Sequence, residues 1–246
     1  MSSDLTNLSS FFIDLDMDTT SPPRQRGSED IWLEAAYEVL TESGVEAVKV
    51  MSLAKRLGLT RTGFYWHFKD RDELLEAMIR RWEDKNTGNL IARAENYAES
   101  ISEAMFNLFD CWLDDTLFDA RLDLAIRNWA RNDPKLQARL DQADRIRTDA
   151  VAAMFQRFGY SPAQAQVRSM TVIYTQIGYI SMHVAENWRD RIARMPNYVE
   201  VFTGHPPSSS DIKRFEARHQ GSRGCGRSDA AVAAGEGTAS FDSGPR

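Results

Sequence analysis

Residues 50–71, VMSLAKRLGLTRTGFYWHFKDR, hold the side chains of this chain that are best suited to bind another molecule. Arg61, Thr62, Tyr65 and His67 fall near the start and on the outward face of a short predicted helix. An arginine can bond to both O6 and N7 of guanine, and a threonine can bond a base edge or a phosphate. This pattern indicates contacts with a nucleic-acid duplex rather than catalysis.

Charge is distributed unevenly along the chain. The 246 residues carry a net charge of −6 and the pI is about 5.3. From Lys49 to Arg71, six basic residues and one acid give a local charge of +5, so the rest of the chain carries −11. Lys69 and Arg71 directly follow the short helix, where they can neutralise phosphate charge. A short basic module on an acidic body is therefore indicated.

Two short helices joined by a tight turn are predicted to present these side chains. Ala54 is a small residue where two helices can cross, and Gly58, four positions later, can adopt a positive φ. Phe64 lies six positions after the glycine, where it can seal the two helices together. The spacing predicts a helix-turn-helix whose helices span 52–57 and 61–68.

The remaining periodic segments are also helical, and no alternating strand pattern persists. Ser28 and Gly44 suit the two ends of the first helix, and Ser161 followed by a proline suits the start of a later one. Glycines and prolines such as Gly159 and Pro196 separate the elements. We predict an all-α fold with helices at 28–43, 52–57, 61–68, 71–85, 89–113, 116–131, 134–158, 162–188 and 209–219.

Composition divides the chain into four parts. We predict a disordered N-terminal arm (1–27), a three-helix helix-turn-helix domain (28–88), a helical domain (89–219) and a disordered tail (220–246). No apolar run approaches the roughly 18–20 residues of a membrane span. The acidic N-terminus lacks the pattern of a signal peptide. We therefore expect a cytoplasmic protein that does not interact with membranes.

The sequence lacks the motifs of common enzyme classes. HExxH, GxSxG and phosphate-binding loop patterns do not occur, and the four histidines are dispersed. The two cysteines lack CxxC spacing. We expect no catalytic residue, no metal site and no cofactor. A helical protein-interaction module is an alternative, but it would leave the local charge of +5 unexplained.

Residues 28–80 closely resemble the DNA-binding domain of TetR-type (TetR/AcrR) transcriptional regulators. LAKRLGLTRTGFYWHFKDRDELLEAM (Leu53–Met78) carries the resemblance, above all its Tyr-Trp-His-Phe run and the Asp-Arg-Asp-Glu-Leu-Leu run that follows. The family often has threonine at the position of Val50, so one hydroxyl contact with phosphate is lost here. Tyr65 could alternatively belong to the core and Trp66 could pack on the next helix. The resemblance implies DNA contacts from Ser52, Arg61, Thr62, Tyr65, Trp66, His67, Lys69 and Arg71.

In that family the DNA-binding module is followed by a helical domain that binds a small ligand and dimerises, so the resemblance implies both roles for 89–219. A stripe of large soft side chains in this region could line a pocket or form ordinary core. Arg127 could bind an anion or pair with a carboxylate such as Asp144. The candidate ligand-binding residues are Phe109, Trp112, Phe118, Arg127 and Trp129.

The helix predicted at 162–188 is the candidate dimer interface, and 209–219 would complete a four-helix bundle across the two-fold axis. Burial of this helix in its own protomer is the alternative. Its apolar stripe comprises Val172, Ile173, Gln176, Ile177, Ile180 and Val184, beside Gly178. The sequence thus predicts a homodimeric repressor that binds a palindromic DNA operator and is released by a small apolar or aromatic effector. An activator without a small-molecule ligand is the alternative.

Overall fold

The computed structural model describes residues 27–219, and these residues form helices without any strand. The predicted all-α fold is confirmed. The predictions for 1–26 and for the tail at 220–246 lie outside the described residues. The helices are α1 (Glu29–Ser43), α2 (Val50–Leu57), α3 (Arg61–Phe64), α4 (Arg71–Trp82), α5 (Asn89–Glu95), α6 (Ile101–Leu113), α7 (Ala120–Ala130), α8 (Pro134–Arg157), α9 (Pro162–Ser181), α10 (Trp188–Thr203) and α11 (Ser209–His219), with a 3₁₀ turn at Val45–Ala47 and a π-helical segment at Glu83–Gly88.

Several helix ends follow directly from capping residues in the sequence. Gly44 ends α1 with a φ of 79°, a conformation that glycine adopts without steric cost. Asp70 is the N-cap of α4, and its side chain accepts a hydrogen bond from the backbone N–H of Glu73. Ser161 and Gln164 form a reciprocal capping box at the start of α9. These side chains satisfy backbone groups that a helix end leaves unpaired.

Three helices predicted after residue 88 have different bounds in the structure. The helix predicted at 89–113 is interrupted, and α6 begins where the side chain of Ser100 accepts a bond from the N–H of Glu103 at 3.1 Å. The helix predicted at 116–131 begins only after Asp119, whose side chain caps α7. The helix predicted at 162–188 ends at Ser181.

Helix α10 is absent from the sequence prediction, which treats Pro196 as a break. The structure places Pro196 inside this helix. A proline removes one helical hydrogen bond and strains the preceding turn. Here three apolar side chains on α10 are buried in the core, and Phe202 packs edge-on against Phe109 of α6 with ring centroids 6.3 Å apart. Tertiary packing therefore outweighs the local preference.

Two hydrophobic clusters form the core. The first joins α1–α4 with α7 and the first half of α8, and the second joins α5, α6, the second half of α8 and α9–α11. Trp32, Phe64 and Trp82 are fully buried in the first cluster. Leu122 and Ile126 of α7 belong to the same cluster. The helices around α2 and α3 thus share one core with helices that follow the predicted domain boundary at residue 88.

A buried carboxylate, Asp123, lies where α4, α7 and α8 meet. It accepts hydrogen bonds from Trp82 Nε1 at 2.8 Å, Arg127 Nε at 2.7 Å and Arg147 Nη1 at 3.1 Å. Burial alone would raise the pKa of Asp123, but Arg147 and Arg127 more than offset that effect and hold the pKa below its usual range. Asp123 is therefore ionised in the folded chain and ties the three helices together.

The π-helical segment Glu83–Gly88 contributes two buried polar side chains to the same region. Asn86 Nδ2 donates to the backbone oxygen of Asp119 at 3.0 Å, and Asn86 Oδ1 accepts from the N–H of Asp119 at 2.9 Å. Thr87 Oγ1 accepts from Arg147 Nε at 2.9 Å. The irregular turn thus brings polar groups to a place where the buried ions need partners.

Three residues of the apolar stripe proposed as a dimer surface are buried inside the protomer, whereas Val184 of the same stripe is 39% exposed. Val172, Ile173 and Ile180 expose 1%, 3% and 9% of their surface and belong to the second hydrophobic cluster. The interface interpretation of these residues is therefore wrong, because α9 turns this side toward α8 and its neighbours. The outward side of α9 instead carries Val167 and Tyr174, which are 65% and 57% exposed.

Within residues 27–219, no helix combines the length and the apolar character needed to cross a membrane.

Replacing Asp123 by asparagine is expected to lower the free energy of unfolding by about 3 kcal/mol, because the buried guanidinium of Arg147 and the partly buried one of Arg127 lose a shared counter-charge. Urea denaturation at pH 7 measures the loss. Asp141→Asn is the matched control, since Asp141 is exposed on α8 and bonds Gln137 within the same helix. Equal stabilities of D123N and the parent chain would contradict the network.

The difference in free energy of unfolding between the parent chain and D123N should also depend on pH. Because the folded-state pKa of Asp123 is lowered, the difference is complete above the ordinary aspartate pKa of about 3.9. The stability difference should disappear as the pH falls through the folded-state pKa of Asp123.

Candidate nucleic-acid interface

Helices α2 and α3 meet at the tight turn that the glycine spacing predicts. Gly58 adopts φ 65° and ψ 23°, in the left-handed region that favours glycine. The N–H of Leu59 donates to the backbone oxygen of Ala54 at 2.9 Å. Thr60 begins α3, and its hydroxyl accepts from the N–H of Gly63 at 3.2 Å. The turn fixes the direction of α3 relative to α2.

Phe64 anchors α3 to the core. Its ring packs edge-on against Trp32 of α1, with centroids 5.3 Å apart, and lies 5.4 Å from the ring of Phe68. Leu53 of α2 is fully buried in the same cluster. The α-helix is shorter than the predicted 61–68, because residues 65–67 form a turn after Phe64. The buried aromatic contacts hold this short element in place.

Four side chains of the α3 region are exposed: Arg61, Thr62, Tyr65 and Trp66. Tyr65 and Trp66 expose 45% and 69% of their surface, so neither is a core residue. Arg61 Nη2 donates to the hydroxyl of Tyr65 at 2.9 Å, and the guanidinium carbon lies 5.3 Å from the centre of that ring. These contacts hold a basic and an aromatic side chain together on the surface.

Ser52 and Lys69 flank this surface and are also exposed. Ser52 lies in the first turn of α2, and Lys69 lies between α3 and α4. The backbone N–H of Lys69 donates to the carboxylate of Glu73. This hydrogen bond fixes the backbone of Lys69 to the first turn of α4. The position of the Lys69 side chain suits a charge contact with phosphate.

His67 and Arg71, which the sequence analysis assigns to DNA contacts, make internal contacts in the structure. A ring nitrogen of His67 bonds the backbone oxygen of Gly27. Arg71 donates from Nε to the oxygen of Val48 at 2.6 Å and from Nη2 to that of Val45 at 2.7 Å. Both side chains fix neighbouring segments around α2 and α3. Backbone acceptors leave no signal in the sequence, so these partners could not be found there.

Gly63 has room for a side chain within the protein. A Cβ atom at this position would lie 3.7 Å from Thr60 Oγ1 and 3.9 Å from the Trp32 ring, both ordinary contact distances. Internal packing therefore does not require glycine inside α3. A surface that must approach another molecule closely gives a physical reason for it.

The five candidate ligand residues do not meet at one place. Phe109 and Trp112 belong to the second cluster, with rings 6.0 Å apart, and Phe118 lies under the guanidinium of Arg147. Trp129 lines a separate cleft of about 960 Å³ between the first helices and α7–α8.

Arg127 is engaged by carboxylates. Its two terminal nitrogens bond both oxygens of Asp144, at 2.8 and 2.7 Å, and its Nε bonds Asp123. Burial alone would lower the pKa of Arg127, but the hydrogen bonds to Asp144 and the charges of both carboxylates raise it well above its usual range. These contacts favour the ion-pair interpretation over recognition of an external anion.

Residues 33–78 match the family model for bacterial regulatory proteins of the tetR family. The chain is 28% identical over 152 residues to the class A tetracycline repressor from transposon 1721 of Escherichia coli, a match that covers 60% of this chain and 63% of that protein. It is 39% identical over 61 residues to an HTH-type transcriptional repressor of Mycobacterium tuberculosis, covering 24% of this chain and 23% of the repressor. The matches therefore span less than two thirds of either relative.

Solved structures share the fold. A transcriptional regulator from Rhodococcus sp. Rha1 has a TM-score of 0.52 and 21% identity, and the match covers 78% of this chain and 97% of that one. Mycobacterium smegmatis AmtR has a TM-score of 0.54 and 14% identity, with 80% and 97% covered. At these identities the likeness concerns the arrangement of the helices.

Gly63→Ala should separate folding from binding. We expect the free energy of unfolding to stay the same or rise by up to about 1 kcal/mol, since alanine favours a helix over glycine. Affinity for duplex DNA should fall, because the added methyl group keeps the backbone away from the duplex. Thermal denaturation and fluorescence anisotropy with labelled DNA measure the two effects. Unchanged DNA affinity would show that the α3 backbone does not approach the duplex at this residue.

Proposed function

We propose that this chain is a TetR-type, ligand-responsive repressor that binds a palindromic operator as a homodimer, a proposal supported by the match of residues 33–78 to the tetR family model. One observation carries the proposal: the α2–α3 pair is anchored by buried aromatic rings and exposes polar side chains suited to base edges and phosphates.

In this proposal, α3 enters the major groove and each side chain has a distinct role. Arg61 and Thr62, in the first turn of α3, contact base edges. Ser52 and Lys69 contact phosphates on either side, and they set the register without reading sequence. Tyr65 orients Arg61 through the bond between their side chains.

The remaining candidate side chains complete the surface. Trp66 contributes an exposed ring to the proposed contact with the backbone of the duplex. His67 and Arg71 support the surface from behind through their bonds to backbone oxygens.

The outward sides of α9 and α10 form the proposed dimer interface. Val167, Tyr174 and Val201 expose 65%, 57% and 70% of their surface, and a shallow groove of about 480 Å³ runs between the two helices. Exposed apolar side chains grouped in this way are typical of a surface that another copy covers. Helix α10 replaces α11 in this role, because Phe215 of α11 stacks on Phe106 of α6, with centroids 4.4 Å apart.

A dimer is needed for specific binding, since two recognition elements must meet half-sites about 34–36 Å apart. A ligand that binds the body can release the operator only if it prefers a geometry in which this spacing is lost. The buried Asp123 cluster gives the body a rigid connection to α4, the helix that follows the DNA-binding surface. An activator that responds to no small molecule would show no release by any metabolite in a thermal-shift and gel-shift screen.

Arg61→Ala should reduce discrimination between the selected operator and random duplex DNA by about 1–3 kcal/mol, because a contact with a base edge is lost. The operator is first selected from random duplexes with the parent chain. Competition gel shifts then measure the ratio of affinities. If R61A keeps the parent's ratio, Arg61 does not read the operator.

Lys69→Ala should weaken binding to all duplexes alike and should reduce the slope of log K against log salt by about 1, as expected for one lost phosphate contact. Lys213→Ala is the matched control, since Lys213 is an exposed lysine on α11. A sequence-dependent effect of K69A would contradict its assignment to phosphate.

Tyr174→Glu should convert the dimer to monomers, because it places a charge on the proposed apolar interface. Light scattering after gel filtration measures the mass. Tyr97→Glu is the control, since Tyr97 is 85% exposed outside α9 and α10. A monomeric parent chain, or a dimer that persists in Y174E, would contradict this interface.

A further inference from the structure

Arg191 of α10 contacts Trp112 of α6 and Tyr179 of α9, and each of these three residues carries an unsatisfied buried polar atom. Five side-chain atoms among the described residues are shut off from solvent without a hydrogen-bond partner, and three of them are Trp112 Nε1, Tyr179 Oη and Arg191 Nε. Buried polar groups are normally bonded, so such a group needs an explanation. Three in contacting residues indicate a place where a partner belongs.

Arg191 is the centre of this group. Its Nη2 donates to the backbone oxygen of Trp112 at 2.8 Å, and its guanidinium carbon lies 5.2 Å from the centre of the Tyr179 ring. All three side chains are half-buried. Trp112 in turn contacts Phe109, and Tyr198 stacks on Phe202 of the same helix as Arg191. The half-buried guanidinium therefore lies against the ring of Tyr179, next to aromatic residues of the second hydrophobic cluster.

The charge of Arg191 is incompletely compensated. Burial lowers the pKa of its guanidinium, and the opposing effects of Glu186 and Asp115 do not restore it. The nearer carboxylate, Glu186, lies 3.7 Å from Arg191 Nε but 2.7 Å from Arg194 Nη1. Glu186 therefore makes its close contact with Arg194 and leaves Arg191 without one.

The contrast with Arg127 shows why Arg191 is the better candidate. Arg127 bonds two carboxylates at distances of 2.7–2.8 Å, so its donors are used within the protein. An anion at Arg127 would have to displace Asp144 or Asp123. At Arg191 it would only have to replace the long contact with Glu186.

We propose that Trp112, Tyr179 and Arg191 bind the acidic group of a small organic anion whose apolar or aromatic body rests on the surrounding rings. The donors of Arg191 and Trp112 suit a carboxylate or a similar oxyanion, and the Tyr179 hydroxyl can donate to the same group. This inference rests on the proposed ligand-responsive function and names the class of effector and its site. Phe109 and Trp112, both predicted ligand residues, lie at this site, whereas Trp129 does not.

Glu186 acts as an internal competitor in this site. When an anion binds Arg191, Glu186 keeps its ion pair with Arg194, so the exchange leaves no carboxylate unpaired. Removing the Glu186 charge should therefore strengthen binding of the anion. A residue that only maintained the structure would not improve binding when it is replaced.

The test compares naphthalene-2-carboxylate with its neutral counterpart naphthalene-2-carboxamide, by calorimetric titration of the full chain. We expect the parent chain to bind the carboxylate about tenfold more tightly than the amide, the factor for one charge-assisted hydrogen bond. Arg191→Gln should remove this preference and leave amide binding unchanged. Glu186→Gln should raise carboxylate affinity by about threefold, the effect of removing a partly screened charge. Arg189→Gln, an exposed arginine on the same helix, should change neither.

Equal affinity for the two probes, no binding of the carboxylate, or a preference that survives in R191Q would each overturn the proposal. Circular dichroism melting checks that the variants fold. If R191Q does not fold, Tyr179→Phe, which removes only a hydroxyl, should lower carboxylate affinity while amide binding is kept. Operator binding by the ligand-free parent is measured separately, so failure of the DNA-binding proposal is distinguished from failure of the anion site.

Discussion

The buried carboxylate of Asp123 is the constraint on which the arrangement of the two clusters depends. An ionised group without solvent is tolerable only when cations and donors surround it. Arg127, Arg147 and Trp82 supply them, each from a different helix. The π-helical segment adds Thr87 to the same network. This part of the molecule can rearrange only if all of these partners move together.

Local sequence predicts most of the geometry of the candidate nucleic-acid interface. The positive φ of Gly58, the buried ring of Phe64 and the exposed position of Arg61 all follow from spacing over a few residues, where turn chemistry and burial agree. The internal contacts of His67 and Arg71 do not follow from spacing, because their partners are backbone oxygens up to 40 residues away. Sequence spacing carries no information about such acceptors.

The helical body was harder to predict for a related reason. Helix periodicity shows that α9 has an apolar stripe, but it cannot say whether the same protomer or a second one covers it. Pro196 lies within α10 because packing against α6 offsets a locally unfavourable residue. The group around Arg191 joins Trp112 with Tyr179, residues that are far apart in the chain, so only the fold reveals it.

The first hydrophobic cluster has a consequence for protein engineering. Since Leu122 and Ile126 of α7 pack with the helices around α2 and α3, a chimaera joined at residue 88 would cut through a continuous core. The exchanged part would lose apolar neighbours, and the recipient would expose the matching side of α7. Transplanting the proposed DNA specificity of this chain therefore requires either redesign of α7 or transfer of surface residues alone.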